Sequence, residues 1–162
     1  MRAAFTGYRP QKLPFGYDEE DARCTALKKR IADCIEELIS EGFTEFSSGG
    51  ALGCDMFAAE AVLAAKKTHP GIRLIMVLPH DGQAEKWSAQ QKRRHERLLQ
   101  GADGVVSISP TYTKACMFQR NRRLVDNADL LVAIYDGQAG GTRMTVEYAK
   151  KSGVPVRIVA LE

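Results

Sequence analysis

The sequence is poor in the features that mark several functional classes. Its four cysteines, at positions 24, 34, 54 and 116, form no CxxC pair and have no zinc-ligand spacing, and its three histidines are scattered. No metal site is therefore expected, and the cysteines read as core or near-core thiols in a reducing compartment. No apolar run is long enough to span a membrane, and the N-terminus has no basic segment followed by an apolar one as a leader requires. "MRAAFTGYRP" instead reads as a strand entering a loop, so a cytoplasmic location and a nearly complete domain starting at Met1 are expected. There is little charge excess: 23 basic and 20 acidic residues give +3, too slight a balance to imply a polyanion-binding surface from composition alone. No internal repeat, low-complexity tract or linker is present.

What is there fits one globular domain over residues 1–162, with 44% hydrophobic and 27% charged residues. Short apolar runs, "RAAFT", "FTEFS", "IRLIMVL", "GVVSIS", "DLLVAIY" and "PVRIVAL", alternate with helix-patterned segments. That alternation predicts strand–helix–strand crossovers: an α/β, three-layer, Rossmann-like, doubly wound domain on a mostly parallel sheet of about six strands. "IRLIMVL", apolar almost throughout, is expected to be a central strand. Leu27, Ile31, Cys34, Ile35, Leu38 and Ile39 form one stripe of a first helix, with Asp18 as its cap and Gly42 at its end. Further helices are predicted over 55–67, 84–100, 115–127 and 142–152.

A doubly wound sheet holds its ligand at the carboxyl ends of its strands, which directs attention to four loops. "TGYRP" offers Gly7 for close approach, Tyr8 as a stacking ring and Arg9 as a phosphate partner. "SSGGALGCD" offers Ser48, Gly49 and Gly50 ahead of a helix start, with Asp55 either a ligand-side acceptor or a residue favoured by the helix dipole. It is not a Walker loop, since no Lys-Ser or Lys-Thr pair follows its glycines. Pro79 opens the third loop, "PHDGQ". "DGQAGGT" offers Asp136, Gly140, Gly141 and Thr142 at the head of the last helix, where Thr142 is either a ligand contact or a cap. In "FQRNRRLVDNAD", Arg120 and Asn121 fall on the ligand side, and Arg122 and Arg123 are expected to be solvated. The most basic stretch, "QKRRHERL" at 91–98, has no interleaved aromatic residue and reads as a solvated helix face, which weighs against nucleic acid as a partner. Trp87 beside it is an anchor or an interface residue, the latter making a homo-oligomer. His80 and His95 have no evident partner in a catalytic pair.

Together, "TGYRP", "SSGGALGCDMFAAEAVL", "VLP", "RNRRLVDNADLLVAIYDG" and "GGT…YA" resemble the YpsA-like family, a branch of the SLOG superfamily that also contains DprA and the Lonely-guy phosphoribohydrolases. The resemblance spans nearly the whole chain in the same motif order. It implies a Rossmann-like domain that binds a nucleotide or a nucleotide derivative, with no settled activity and no other cofactor. Carried over position by position, the ligand side is Gly7, Arg9, Gly49, Gly50, Asp55, Arg120, Asn121, Asp136, Gly140, Gly141 and Thr142. Lonely-guy enzymes have a glycine motif resembling PGGxGTxxE, whose glutamate serves cleavage of an N-glycosidic bond. Here Thr145 stands at that position and the nearest acid is Glu147, two residues on, which turns the side chain through roughly 200°.

Three readings follow. The first is a sensing or regulatory module that holds a small nucleotide-like ligand on its glycine loops. The second is a hydrolase of a nucleoside phosphate or an ADP-ribose-like substrate, with Asp55, Asp136 or Glu147 as general base or as stabiliser of an oxocarbenium-like transition state. The third is nucleic-acid binding in the manner of DprA.

Overall fold

The structure, a computed structural model, describes residues 1–162. Six strands alternate with five helices: β1 (Arg2–Gly7), α1 (Ala22–Ser40), β2 (Glu45–Ser48), α2 (Cys54–Lys66), β3 (Arg73–His80), α3 (Ala89–Gly101), β4 (Gly104–Ser109), α4 (Cys116–Asp126), β5 (Leu130–Ile134), α5 (Gly141–Lys151) and β6 (Val156–Val159). All five strand pairings are parallel, in the order β4-β3-β2-β1-β5-β6. The chain steps outward from β1 to β4, then returns across the sheet through α4 to pair β5 with the other side of β1. This reversal puts α1–α3 against one another on one face and α4 against α5 on the other. It also makes the gap beyond β1 and β5 the topological switch point.

Local chemistry explains the elements. Leu27, Ile31, Ile35 and Leu38 of α1 are completely buried, each contributing about 1.5–3 kcal/mol before the entropy of ordering. The helix is capped by Asp21, whose carboxylate accepts from the Arg23 amide at 2.8 Å, and not by Asp18, which closes the preceding turn through the Glu20 amide at 3.1 Å. Helix α3 starts later than expected because Ser88 and Gln91 form a reciprocal capping box, with bonds of 3.0 and 3.1 Å, leaving residues 84–87 in a turn. Strand β3 lies between β2 and β4 and not at the centre, which β2 and β1 occupy. It extends through Pro79, expected in the loop. Proline is accommodated because the pairing with β4 passes over it, from Leu78↔Ser107 to His80↔Ser109. All four cysteines are free and buried, and no helix is long and apolar enough to cross a membrane.

Candidate functional site

A cleft of about 1010 Å³ opens at the switch point, between the loop after β1 and the facing sides of α4 and α5. Of the expected ligand-side residues, Gly7, Tyr8, Arg9, Asp55, Arg120, Asn121, Gly141 and Thr142 line it, as does Glu147. Six basic residues reach it (Arg9, Lys12, Arg120, Arg122, Lys150 and Lys151) against two acids (Asp55 and Glu147). A chain of modest overall charge thus concentrates positive charge in one groove.

Arg120 forms the floor. It is only 3% exposed, donates from Nη1 to the Gly49 carbonyl at 2.5 Å and from Nε to Asn121 Oδ1 at 2.9 Å. Its Nη2 makes no hydrogen bond within the protein, yet no buried side-chain nitrogen or oxygen lacks a partner, so Nη2 reaches solvent through the cleft. Asp55 lies beneath the same loop without bonding to Arg120, its Oδ2 accepting from the Ala51 amide at 3.2 Å. Burial pushes the Asp55 carboxyl above its ordinary range, opposed by the charge of Arg120, the Ala51 amide and Arg9. Burial likewise lowers Arg120, with Asp55 opposing the shift. The exposed Arg9 acts on both.

The glycine loop after β2 shapes this floor and offers few amides to a ligand. A Cβ on Gly49 would lie 2.7 Å from Arg120 Cζ and 2.9 Å from Asp55 Oδ2, so only glycine leaves room for the pair. Gly50, Ala51 and Cys54 donate their amides to Ser48 Oγ, Asp55 Oδ2 and the Tyr8 carbonyl. The fully buried Ser48 also donates from Oγ to the Asp55 carbonyl at 2.8 Å. Buried Pro79 and the residues Ser48, Gly49 and Gly50 support the cleft without lining it.

The loop before α5 is different. Gly140 takes φ +148° as the N-cap, with no side-chain cap, so Thr142 is not the cap; it is buried as the second residue of the helix. The amides of Gly141, Thr142 and Arg143 donate to no group in the protein, leaving a helix start with unspent donors at the cleft. Lys12, on the short 3-10 turn Pro10–Lys12, bonds the Ala139 carbonyl at 2.7 Å and braces the turn from the side. Thr145 returns its hydroxyl to the Gly141 carbonyl at 3.0 Å and is buried.

Other expectations change with geometry. Tyr8 is no open stacking ring: it is 3% exposed, meets Tyr135 edge-on at 6.0 Å and gives its hydroxyl to Asp136. That bond holds the Asp136 carboxyl below its usual range, and Asp136 faces a separate hollow of about 630 Å³. Glu147 sits on the rim, paired with Arg143 at 3.1 Å. The three candidate acids therefore have separate partners and share none. Trp87 packs edge-on against His95 at 5.2 Å, an anchor within the fold. No group of three or more His, Cys, Asp or Glu is gathered as metal ligands.

Sequence reasoning missed the groove's far half. Arg122 is not simply solvated but lies over the Tyr148 ring at 5.0 Å. Phe118 and Met144 are 51% and 47% exposed, on the facing sides of α4 and α5. The available signal was helical spacing: Phe118 and Arg122, like Met144 and Tyr148, are four residues apart and share a helix face.

Two solved structures of DNA processing protein A share the fold: that from Streptococcus pneumoniae, with TM-score 0.69 and 22% identity over 97% of this chain, and that from Helicobacter pylori, with TM-score 0.67 and 21% identity over 98%. This chain spans 49% and 64% of those proteins, respectively. The H. pylori structure was determined for its single-stranded DNA binding mode. The expectation that set nucleic acid aside as a partner is corrected by this finding. Its physical ground also fails, because aromatic and cationic side chains do interleave, on α4 and α5 and not at 91–98. Among sequence relatives, the uncharacterized SPbeta prophage-derived protein YoqJ of Bacillus subtilis is 37% identical over 139 residues, 78% of this chain and 81% of that one. A UPF0398 protein of Halalkalibacterium halodurans is 33% identical over 149 residues, 90% and 78% of the two chains. The YpsA model, which describes the YspA SLOG family, matches residues 3–161, and the chain belongs to that family.

Proposed function

We propose that the cleft binds a nucleotide-bearing ligand, holding a phosphate between Arg9, Arg120 and the open amides of α5 while the base rests against Phe118 and Met144. The observation that carries this reading is Arg120, buried and fixed by two bonds, with its remaining donor nitrogen turned to the cleft. A guanidinium held this way costs desolvation that a bound oxyanion offsets. Because Asp55, Asp136 and Glu147 have separate partners, no acid–base pair is assembled, and retention of the ligand, as in a sensing module, suits the site better than hydrolysis.

In a second reading the nucleotide unit belongs to a single-stranded nucleic acid. The spread of cations favours it: Arg9 and Arg120 stand at one end of α5, and Lys150 and Lys151 at the other, about 16 Å away. Successive nucleotides of a base-stacked strand advance about 3.4 Å along its axis, so this groove is longer than one nucleotide step. The likeness to DNA processing protein A supports the same reading.

Fluorescence anisotropy with labelled oligothymidylate, beside calorimetry with ADP, ADP-ribose and NAD, separates the two. A polymer engaging Arg9, Arg122, Lys150 and Lys151 should show a log–log salt slope of roughly −3, at about −0.7 per phosphate contact. A small nucleotide ligand should bind with a shallower slope and displace the oligomer. If neither probe class binds at millimolar concentration, both readings fail.

A further inference from the structure

Between the sheet and α3 lies a partly buried polar relay that the proposed site does not by itself require. His95 of α3, 5% exposed, contacts Gln83 Oε1 through Nε2 at 3.1 Å. Gln83, in the turn after β3, donates from Nε2 to the Gly49 carbonyl at 3.0 Å. That carbonyl is the same one that receives Arg120 Nη1 from the opposite face of the sheet. The chain of bonds therefore runs from one helical layer, over the carboxyl edge of β2, to the cationic floor of the cleft.

The donor pattern is fixed by chemistry. A carbonyl can only accept, so the Gln83 amide must turn its NH2 to Gly49 and its oxygen to His95. His95 must then carry its proton on Nε2, and burial, which lowers its basicity, keeps the ring neutral in that tautomer. Both lone pairs of the Gly49 carbonyl are used, one by Gln83 and one by Arg120. Gly49 has no side chain to restrain its peptide plane, so these two bonds hold it between them.

We infer that Gln83 and His95 are positioning residues for Arg120: they hold the Gly49 carbonyl at the angle that aims the free Nη2 of Arg120 into the cleft. The inference rests on the phosphate role proposed for Arg120. Loss of the Gln83 bond lets the Gly49 peptide turn and the guanidinium sample orientations that a ligand must re-order on binding. At the typical net value of one buried hydrogen bond, Gln83→Leu should weaken binding of labelled oligothymidylate about 2- to 12-fold. His95→Leu should produce a smaller loss in the same direction, and His95→Gln, which keeps a donor to Gln83, should restore affinity.

A double-mutant cycle with Arg120→Ala distinguishes positioning from general support, with fold checked by circular dichroism. If Gln83 acts through Arg120, Gln83→Leu changes affinity in the native background and leaves Arg120→Ala unaffected. Equal losses in both backgrounds, or no loss in the native one while Arg120→Ala binds poorly, overturn the inference and spare the site. Binding of oligothymidylate and ADP by neither native protein nor variant removes the proposed function and this inference with it. Gln83→Glu, which keeps the shape and the acceptor but cannot donate to Gly49, replaces Gln83→Leu if that variant does not fold.

Discussion

Gly141→Asp separates the two roles open to the start of α5, because it should move stability and binding in opposite directions. A Cβ at Gly141 meets nothing within 4 Å, and the residue does not need a positive φ, so the substitution fits without strain. A carboxylate in the first turn faces the positive end of the helix dipole and can accept from the open amides, which should stabilise the fold by about 0.3–1 kcal/mol. For a domain of this size that is a rise in Tm of about 1–4 °C. A phosphate on the same amides would meet that carboxylate at about 5 Å, a repulsion of about 0.8 kcal/mol in a water-like dielectric and about 3.3 kcal/mol at an effective value of 20. Affinity should therefore fall about 4- to 250-fold. Gly141→Ala, without the charge, should gain some stability and keep near-native affinity. Differential scanning fluorimetry paired with anisotropy of labelled oligothymidylate reads both quantities on one preparation. A Gly141→Asp protein that melts higher and binds as well as native protein would refute the phosphate cradle and leave the glycines as a turn.

The aromatic shelf and the buried carboxyl have their own tests. Phe118→Ala removes a half-exposed ring that the core does not need, so Tm should hold while oligothymidylate affinity drops by about 1–3 kcal/mol, the usual worth of one stacked base. Unchanged anisotropy titrations would place the base elsewhere. The raised Asp55 carboxyl takes up a proton at a pH above the ordinary aspartate value of about 3.9, and its charge beside Arg120 then vanishes. Binding of oligothymidylate, whose phosphodiesters stay ionised, should therefore tighten as pH falls through the raised Asp55 pKa, and Asp55→Asn should flatten that dependence. The same shift assigns Asp55 a stability contribution that is present below its unfolded pKa and lost as pH rises through the folded one. A pH-independent affinity in the native protein would show that Asp55 does not compete for Arg120.

The fold was legible because its signals are local. The "LLVAI" run is buried at every position, and the α1 stripe at 3- and 4-residue spacing faces the core, as periodicity alone requires. Boundaries were less legible where a reciprocal contact decided them: Ser88 competes with the helical pattern of residues 84–87 only through its pairing with Gln91. The site was half legible. Loops at strand ends can be found from topology, but "SSGGALGCD" and "DGQAGGT" look alike in sequence and differ in what their amides do. The first spends several on Ser48, Asp55 and Tyr8, and the second leaves those of Gly141, Thr142 and Arg143 open. Nor can composition reveal a charge cluster assembled from Lys12, Arg122 and Lys151, which only meet when α4 and α5 pack against each other, both reaching β1.

The long return of the chain through α4 also bears on when the cleft comes into being. Strand β1 pairs with β2 about forty positions on, but with β5 only through partners such as Ala3 and Leu130, 127 residues apart. Closing that distance is the slow, entropically costly step for a chain of this topology. Arg120 and the head of α5 both lie on the late side of it, so a nascent or half-folded molecule has the glycine loop after β2 but no groove. A ligand of the kind proposed would engage only the finished sheet and would draw the folding equilibrium toward it, by RT ln(1 + [L]/Kd). In this architecture, occupancy of the groove by such a ligand would report that the last strands have docked.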